Sequence, residues 1–191
     1  MLRRRPAYKN PKRLFVISTE GEKTEPIYFE EFHPGRDGGY RIHILRTLNG
    51  KSCPREVLER LIQYEKKARL GSNTEYWAVI DRDAWSAAEL DDVSREIAKH
   101  ENYHLALSNP CFELWLWLHL RHNRPFNGRQ DCQRSLIREW PDFVKGDYDA
   151  SKLMPMVQQA CERAKELDVA PDAKWPEEQA TWVYRLIERL R

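Results

Sequence analysis

Residues 76–83 read YWAVIDRD, and no other segment of the 191-residue chain predicts its structure so clearly. The first five residues form a continuous run of aromatic and apolar side chains, which is typical of a strand buried on both faces of a parallel sheet. Asp81 and Asp83 follow at once, so the strand ends in an acidic turn. A second apolar run, LFVI at residues 14–17, ends just before Glu20 and predicts another buried strand.

Predicted strands and helices alternate on both sides of residues 76–83. The predicted strands are 14–17, 41–45, 76–80 and 103–107. The predicted helices that follow them are 25–32 with Thr24 as cap, 54–70, 86–100 and 111–122. This alternation indicates an α/β fold with a mostly parallel four-stranded sheet flanked by helices. Beyond residue 131 the pattern predicts helices only, at 133–140, 153–167 and 177–191. We therefore expect a core at 14–125 and a helical C-terminal region, 126–191, packed on it.

Composition excludes several classes of protein. The chain is 41% hydrophobic and 32% charged, and a chain of this length can bury about 70% of its unfolded surface without disulfides. No apolar run reaches the roughly 18 residues of a membrane span, and the N-terminus lacks the apolar segment of a secretory signal. The four cysteines show neither C-x-x-C nor zinc-site spacing. We expect a cytoplasmic protein with reduced thiols.

The charge is unevenly distributed, although the net charge is only +2. Residues 1–13 hold six bases and no acid, so the rest of the chain has a net charge of −4. Such a basic arm predicts nonspecific binding to the phosphates of a nucleic acid, while the alternative is a solvated terminus without a partner. The six basic residues are Arg3, Arg4, Arg5, Lys9, Lys12 and Arg13.

Acidic residues follow the predicted strands at the points where ligands bind in open parallel sheets. Glu20 and Glu25 follow the first strand, Asp81 and Asp83 the third, and Glu113 the fourth. Carboxylates brought together at one edge repel each other, which raises their pKa values or attracts a cation. Oxygen ligands suit Mg²⁺, Mn²⁺ or Ca²⁺. The sequence therefore predicts a divalent-cation site, and a solvated acidic loop is the alternative interpretation of Asp81 and Asp83.

Glu113 has an unusual context. It is the only charged residue in CFELWLWL, residues 111–118. A buried carboxylate is costly unless it is paired, close to water or bound to a metal. We expect Glu113 to face the acidic edge of the sheet, with an ordinary salt bridge or an exposed helix start as the alternative.

Three sequence blocks together resemble the RloB-like family. They are LFVI with EGEKTEP at residues 14–26, WAVIDRD at 77–83 and SNPCFELWL at 108–116, in the expected order along nearly the whole chain. The resemblance implies a Toprim-like, Rossmann-like fold, as in topoisomerases, primases and OLD-family nucleases. It also implies a bacterial anti-phage system of the AbiL abortive-infection type, in which the protein works with an ABC-class ATPase encoded nearby. The expected activity is metal-dependent cleavage of DNA or RNA.

The resemblance carries catalytic roles to Glu20, Asp81 and Asp83. Asp81 and Asp83 would hold Mg²⁺ (or Mn²⁺), while Glu20 completes the ligand set or acts as general base. Glu25 and Glu113 are candidates for a second ion or for supporting the first. Phosphodiester cleavage needs such a Lewis acid to stabilise the charge that develops on the phosphate oxygens.

Lys23 is a candidate contact for the scissile phosphate, with an exposed loop lysine as the alternative. Competing enzyme classes explain the motifs less well. A GT-A glycosyltransferase would use the D-x-D motif but would not explain Glu20-Gly21, and a haloacid-dehalogenase phosphatase needs D-x-D after its first strand. The non-enzymatic alternative is a subunit that binds nucleic acid or the ATPase and has a structural or degenerate metal site.

Overall fold

The computed structural model describes residues 13–32, 39–47, 52–82 and 85–191. In these ranges the strands form one sheet in the order β2-β1-β3-β4-β5. The first four strands are parallel, and β5 is antiparallel to β4. This arrangement confirms the predicted mostly parallel α/β sheet and is consistent with a Rossmann-like fold. The strands are β1 (Arg13–Thr19), β2 (Tyr40–Leu45), β3 (Thr74–Asp81), β4 (Tyr103–Asn109) and β5 (Ala180–Thr181).

The fifth strand corrects the prediction of a four-stranded sheet. Residues 177–191 were predicted to be one helix, but Ala180 and Thr181 pair with the end of β4. The Thr181 hydroxyl is hydrogen-bonded to that of Ser108 at 2.8 Å, and the amide of Trp182 donates to the Leu107 carbonyl at 2.8 Å. A two-residue strand is too short to show a periodic sequence pattern. It forms because the backbone at the edge of β4 pairs with it.

The helices mostly agree with the prediction in place but differ at their ends. Thr24 is the first residue of α1 and not its cap, which is Lys23. The helix predicted at 111–122 begins at Glu113. The helix predicted at 153–167 is a 3-10 helix, Ala150–Met156, before it becomes α-helical, in keeping with Pro155, which lacks an amide hydrogen. The helices are α1 (Thr24–Glu30), α2 (Pro54–Ala68), α3 (Ala87–Ile97), α4 (Glu113–Leu120), α5 (Gly128–Glu139), α6 (Val157–Leu167) and α7 (Val183–Leu190).

Helices cover both faces of the sheet. Successive residues of a strand point to opposite faces, so Glu75 and Tyr76 mark the two sides of β3. Tyr103, the neighbour of Tyr76 on β4, donates to Glu65 of α2 at 2.8 Å. On the other face, Arg189 of α7 donates to Glu75 at 2.9 Å. α3 packs beside α2, while α4 and α6 pack in the layer of α7.

A buried polar contact joins α1 to α4. The Tyr28 hydroxyl lies 3.0 Å from Nε2 of His119, and Nδ1 of His119 lies 2.9 Å from the Trp115 carbonyl. A carbonyl only accepts, so Nδ1 carries the proton and Nε2 accepts from Tyr28. Burial lowers the pKa of His119 to about 4, which keeps the ring neutral. This contact joins α1, which carries Glu25, to α4, which carries Glu113.

Candidate metal and phosphate site

Four buried or half-buried carboxylates and the exposed Glu22 line one pocket of about 410 Å³ at the carboxyl edge of the sheet. Glu20 follows β1, Glu25 lies in α1, Asp81 ends β3 and Glu113 begins α4. We call this the carboxylate pocket. It brings together four of the five acidic residues that the sequence singled out, while Asp83 lies outside the described residues. Three separate stretches of chain meet here because parallel strands end at the same edge of a sheet.

Glu20 is held by the neighbouring strand and by an indole. Its Oε2 accepts from the amide of Asp81 at 3.1 Å and from Nε1 of Trp85 at 3.2 Å. Burial raises the pKa of Glu20 to about 7, even though these two hydrogen bonds oppose the rise. Glu20 therefore exchanges a proton near neutral pH. No sequence signal points to this role of Trp85, because an aromatic residue after a D-x-D turn has no characteristic spacing.

Asp81 joins the end of β3 to the start of α4. Its Oδ1 accepts from the amide of Phe112 at 2.8 Å, and its Oδ2 lies 3.9 Å from a guanidinium nitrogen of Arg129. Burial raises the pKa of Asp81 well above its usual value, and the negative charges of Glu25, Glu113 and Glu20 raise it further. Among the described residues, the charge of Arg129 opposes this rise only in part.

Glu25 and Gly21 lie in unusually close contact. Glu25 is only 4% exposed, and its Oε1 accepts from the amide of Gly21 at 3.1 Å. Its Oε2 is buried and has no hydrogen-bond partner among the described residues. Burial raises the pKa of Glu25, and the negative charge of Glu113 adds to the effect. A buried carboxylate oxygen without a donor is the kind of atom that a cation would satisfy.

Gly21→Ala tests this close approach. A Cβ atom at Gly21 would lie 2.0 Å from Oε2 of Glu25, so the variant must displace a buried carboxylate. We expect its free energy of unfolding to fall by about 1–3 kcal/mol in chemical denaturation. Gly71→Ala is the matched control, because no atom lies within 4 Å of a Cβ there. Equal stability of the two variants would contradict the prediction.

Glu113 is paired by two residues that carry no recognisable sequence signal for this role. It is 1% exposed, and its Oε1 accepts from Nζ of Lys145 and from Nε2 of Gln133, both at 2.9 Å. Its Oε2 is buried and has no partner in the described ranges. Burial alone would raise the pKa of Glu113, but the Lys145 ammonium outweighs it and the pKa is lowered. Glu113 thus lines the pocket at the acidic edge, as expected, and it also forms the salt bridge that was the alternative.

The cations of the pocket come largely from the C-terminal region. Lys145, Arg129 and the predicted Lys23 all line it. The only sequence signal for Lys145 is its place before Gly146, which has a φ of +77° in a turn. Neither Lys145 nor Arg129 belongs to a motif, so sequence spacing could not connect them with carboxylates far away in the chain.

Two other basic residues lie away from the pocket. Arg13 begins β1, at the opposite end of that strand from Glu20, and its guanidinium pairs with Glu75 at 2.5 Å. The Arg82 guanidinium lies 5.0 Å from the ring centre of Trp175. The remaining predicted arm residues, Arg3, Arg4, Arg5, Lys9 and Lys12, lie outside the described residues.

The basic arm stays a prediction that salt dependence can test. Deleting residues 2–9 should make nucleic-acid binding less sensitive to salt, because fewer counterions are released. We expect the log–log slope of affinity against salt to fall by about 0.7–0.9 for each lost phosphate contact. Lys66→Gln with Lys67→Gln, on the exposed side of α2, is the control. An unchanged slope after the deletion would rule out the arm as a binding element.

The acidic side chains of the pocket supply the oxygen ligands that a hard divalent ion prefers. They are not arranged around one common point. Within residues 13–32, 39–47, 52–82 and 85–191, no three Asp, Glu, His or Cys side chains are placed to hold one ion together. Amide, indole and ammonium donors occupy several of the carboxylate oxygens. The buried oxygens of Glu25 and Glu113 without partners, and the all-oxygen donor set, nevertheless suit Mg²⁺ or Mn²⁺.

Comparison with known proteins agrees with the three sequence blocks. The family model described as RloB-like protein matches residues 15–190. The chain belongs to the RloB-like family. The match covers every residue of the carboxylate pocket in this RloB-like protein and leaves out the basic arm. No curated protein and no solved structure matches the chain. None of the helices in the described ranges combines the length and apolar character needed to span a bilayer.

Proposed function

We propose that this RloB-like protein is a divalent-metal-dependent nuclease that cleaves phosphodiester bonds. The observation that carries the proposal is the carboxylate pocket, in which Glu25 and Glu113 each bury an oxygen without a partner. Three of its four buried or half-buried acids, Glu20, Glu25 and Asp81, have raised pKa values, so the charge is only partly compensated. This is the electrostatic state in which a cation binds with net gain.

The residues divide into those that would hold the ion and those that would act on the substrate. Glu20, Asp81 and Asp83 would hold Mg²⁺ or Mn²⁺, with Glu25 and Glu113 as further ligands. The bound ion would supply Lewis-acid stabilisation of charge on the phosphate. Glu20 would either complete the ligand set or act as the general base that accepts a proton from the attacking water; without a bound ion, burial raises its pKa to about 7.

Lys23 would contribute by contacting the substrate. It immediately precedes α1 and lines the same pocket as the carboxylates. A lysine at the mouth of an acidic pocket attracts the anionic substrate and offsets repulsion between phosphate and carboxylates. Toprim-type nuclease chemistry, which the family resemblance implies, uses a glutamate after the first strand and a D-x-D motif after the third, here Glu20, Asp81 and Asp83.

A non-catalytic role is the second candidate, and one observation favours it. Asp81 and Glu113 already accept hydrogen bonds from the protein, and Lys145 neutralises Glu113. A subunit of this kind would bind nucleic acid or its ATPase partner and would keep the acidic pocket as a structural element. It would not turn over a phosphodiester under any metal condition.

Cleavage assays separate the two candidates. The purified protein is incubated with end-labelled single- and double-stranded DNA, RNA and tRNA, with Mg²⁺, Mn²⁺ or EDTA. The nuclease proposal predicts metal-dependent cleavage that Glu20→Gln lowers by about 10²–10⁴-fold. Glu59→Gln, an exposed change on α2, should retain full activity. Identical cleavage by Glu20→Gln would point to a contaminating nuclease, and no cleavage with the ATPase present would favour the binding subunit.

We also propose, from the family resemblance, that the protein acts with an ABC-class ATPase in anti-phage defence. Co-expression with an ATPase gene adjacent to its own provides the test. The two proteins should co-purify, and infection of cells that carry both should produce fewer phage than infection of cells that carry Glu20→Gln. Equal phage yields would contradict a defence role that depends on this pocket.

A further inference from the structure

We propose that Lys145 is a phosphate-binding residue, which Glu113 holds until a divalent cation takes that carboxylate. The proposal rests on the proposed function, because it requires an ion and a phosphate in one pocket. It assigns to the C-terminal region a direct part in substrate binding, and it predicts that ion and substrate bind cooperatively.

A firmly anchored turn presents Lys145 to the pocket. The turn spans Val144 to Asp147 and is closed by the Asp147 amide, which donates to the Val144 carbonyl at 2.9 Å. The buried ring of Tyr148 follows, and its hydroxyl donates to the Thr24 carbonyl at the start of α1, at 2.8 Å. The backbone is thus tied to the wall of the pocket, while the Lys145 side chain is 51% exposed and able to reorient.

Only one of the two carboxylate oxygens of Glu113 has a partner among the described residues. Its Oε1 accepts from both Lys145 and Gln133, whereas its buried Oε2 has no partner in the described part of the chain. An ion drawn to Oε2 would place two positive charges within a few ångströms of the ammonium. Two like charges at that distance repel strongly in a partly desolvated pocket. The ion and the Lys145 ammonium therefore compete for Glu113, although Gln133 can stay bound.

The displaced ammonium would remain among other cations. Gly146 lies against Lys23, since a Cβ at Gly146 would be 3.2 Å from Cβ and Cδ of that lysine. Arg129 approaches from α5 and also lines the pocket. Cations from three parts of the chain thus surround the carboxylates. Once Lys145 leaves Glu113, its three N–H donors become available to a phosphate, so ion binding favours substrate binding.

The test measures ion binding and oligonucleotide binding separately, without cleavage. Mn²⁺ affinity is measured by calorimetry, and affinity for a fluorescein-labelled single-stranded 20-mer by anisotropy with and without saturating Ca²⁺. For the unmodified protein we expect Ca²⁺ to tighten oligonucleotide binding by about 10-fold or more, the effect of one charge-assisted hydrogen bond. In Lys145→Gln, Mn²⁺ should bind several-fold more tightly, and the effect of Ca²⁺ should largely disappear.

Lys152→Gln is the matched control. Lys152 is 52% exposed, lies seven residues further along the chain and pairs with the exposed Asp142, not with the pocket. It should behave like the unmodified protein in both assays. The proposal is overturned if Lys145→Gln binds Mn²⁺ no more tightly and keeps the Ca²⁺ effect. If neither protein binds Mn²⁺, the metal site fails, and with it both proposals; cooperative binding without cleavage would contradict only the nuclease.

Discussion

Saturating Mn²⁺ or Mg²⁺ should raise the melting temperature of the protein by roughly 5–10 °C. At a hundred times its dissociation constant, one ion bound only by the folded state adds about 2.7 kcal/mol to stability. In a domain of this length, each kcal/mol of added stability raises the melting temperature by about 2–4 °C. The gain follows from the carboxylate pocket, where burial and mutual repulsion raise the pKa values of Glu25 and Asp81.

Asp81→Asn should abolish this increment. The variant retains an Oδ1 that can accept from the Phe112 amide, but it loses the charge that would hold an ion. Without metal, its melting temperature should exceed that of the unmodified protein, because one of the mutually repelling charges has been removed. Differential scanning calorimetry with metal or EDTA measures both effects.

Asp92→Asn provides the control for the metal experiment. Asp92 lies on α3, and its side chain is 62% exposed. This variant should keep the full metal increment. A metal-insensitive melting temperature in the unmodified protein, or a full increment in Asp81→Asn, would refute the proposed ion site.

Stability should fall as the pH rises from about 4.5 to about 7, with a contribution from Glu20 of up to about 3 kcal/mol. The pKa of Glu20 is about 7 in the folded protein against 4.5 for an ordinary glutamate, so the folded state binds the proton more tightly than the unfolded state does. Below pH 4.5 both states are protonated and no difference arises. Above pH 7 the folded protein bears the full cost of a buried charge.

Glu20→Gln isolates this contribution. The variant should match the unmodified protein in urea denaturation near pH 4 and should exceed it in stability at pH 8. Saturating Mn²⁺ should reverse the order at pH 8, because only the carboxylate gains from the ion. Glu59→Gln, with its side chain 47% exposed on α2, should show no such pH-dependent difference. A constant difference between Glu20→Gln and the unmodified protein at every pH would contradict the shifted pKa.

The family, the strand–helix alternation and the place of the acidic residues could all be predicted from the sequence. Apolar runs such as LFVI and WAVI are local signals, and they predicted β1 and β3 because a strand buried on both faces needs no polar positions. The meeting of the acidic residues at one edge followed from topology, because the carboxyl ends of parallel strands lie at the same edge of a sheet. That rule alone was enough to expect Glu20 near Asp81, two residues that lie 61 positions apart and are joined by a hydrogen bond.

The partners of those acids depended on tertiary structure. β5, Trp85, Gln133, Arg129 and Lys145 reach the sheet edge or the pocket through contacts that carry no periodicity or motif. The pKa of Glu20 and the pairing of Glu113 likewise depend on burial and on charges brought in from distant segments. Local sequence determines which residues form strands and helices, whereas desolvation and charge pairing arise only where separate elements meet in space.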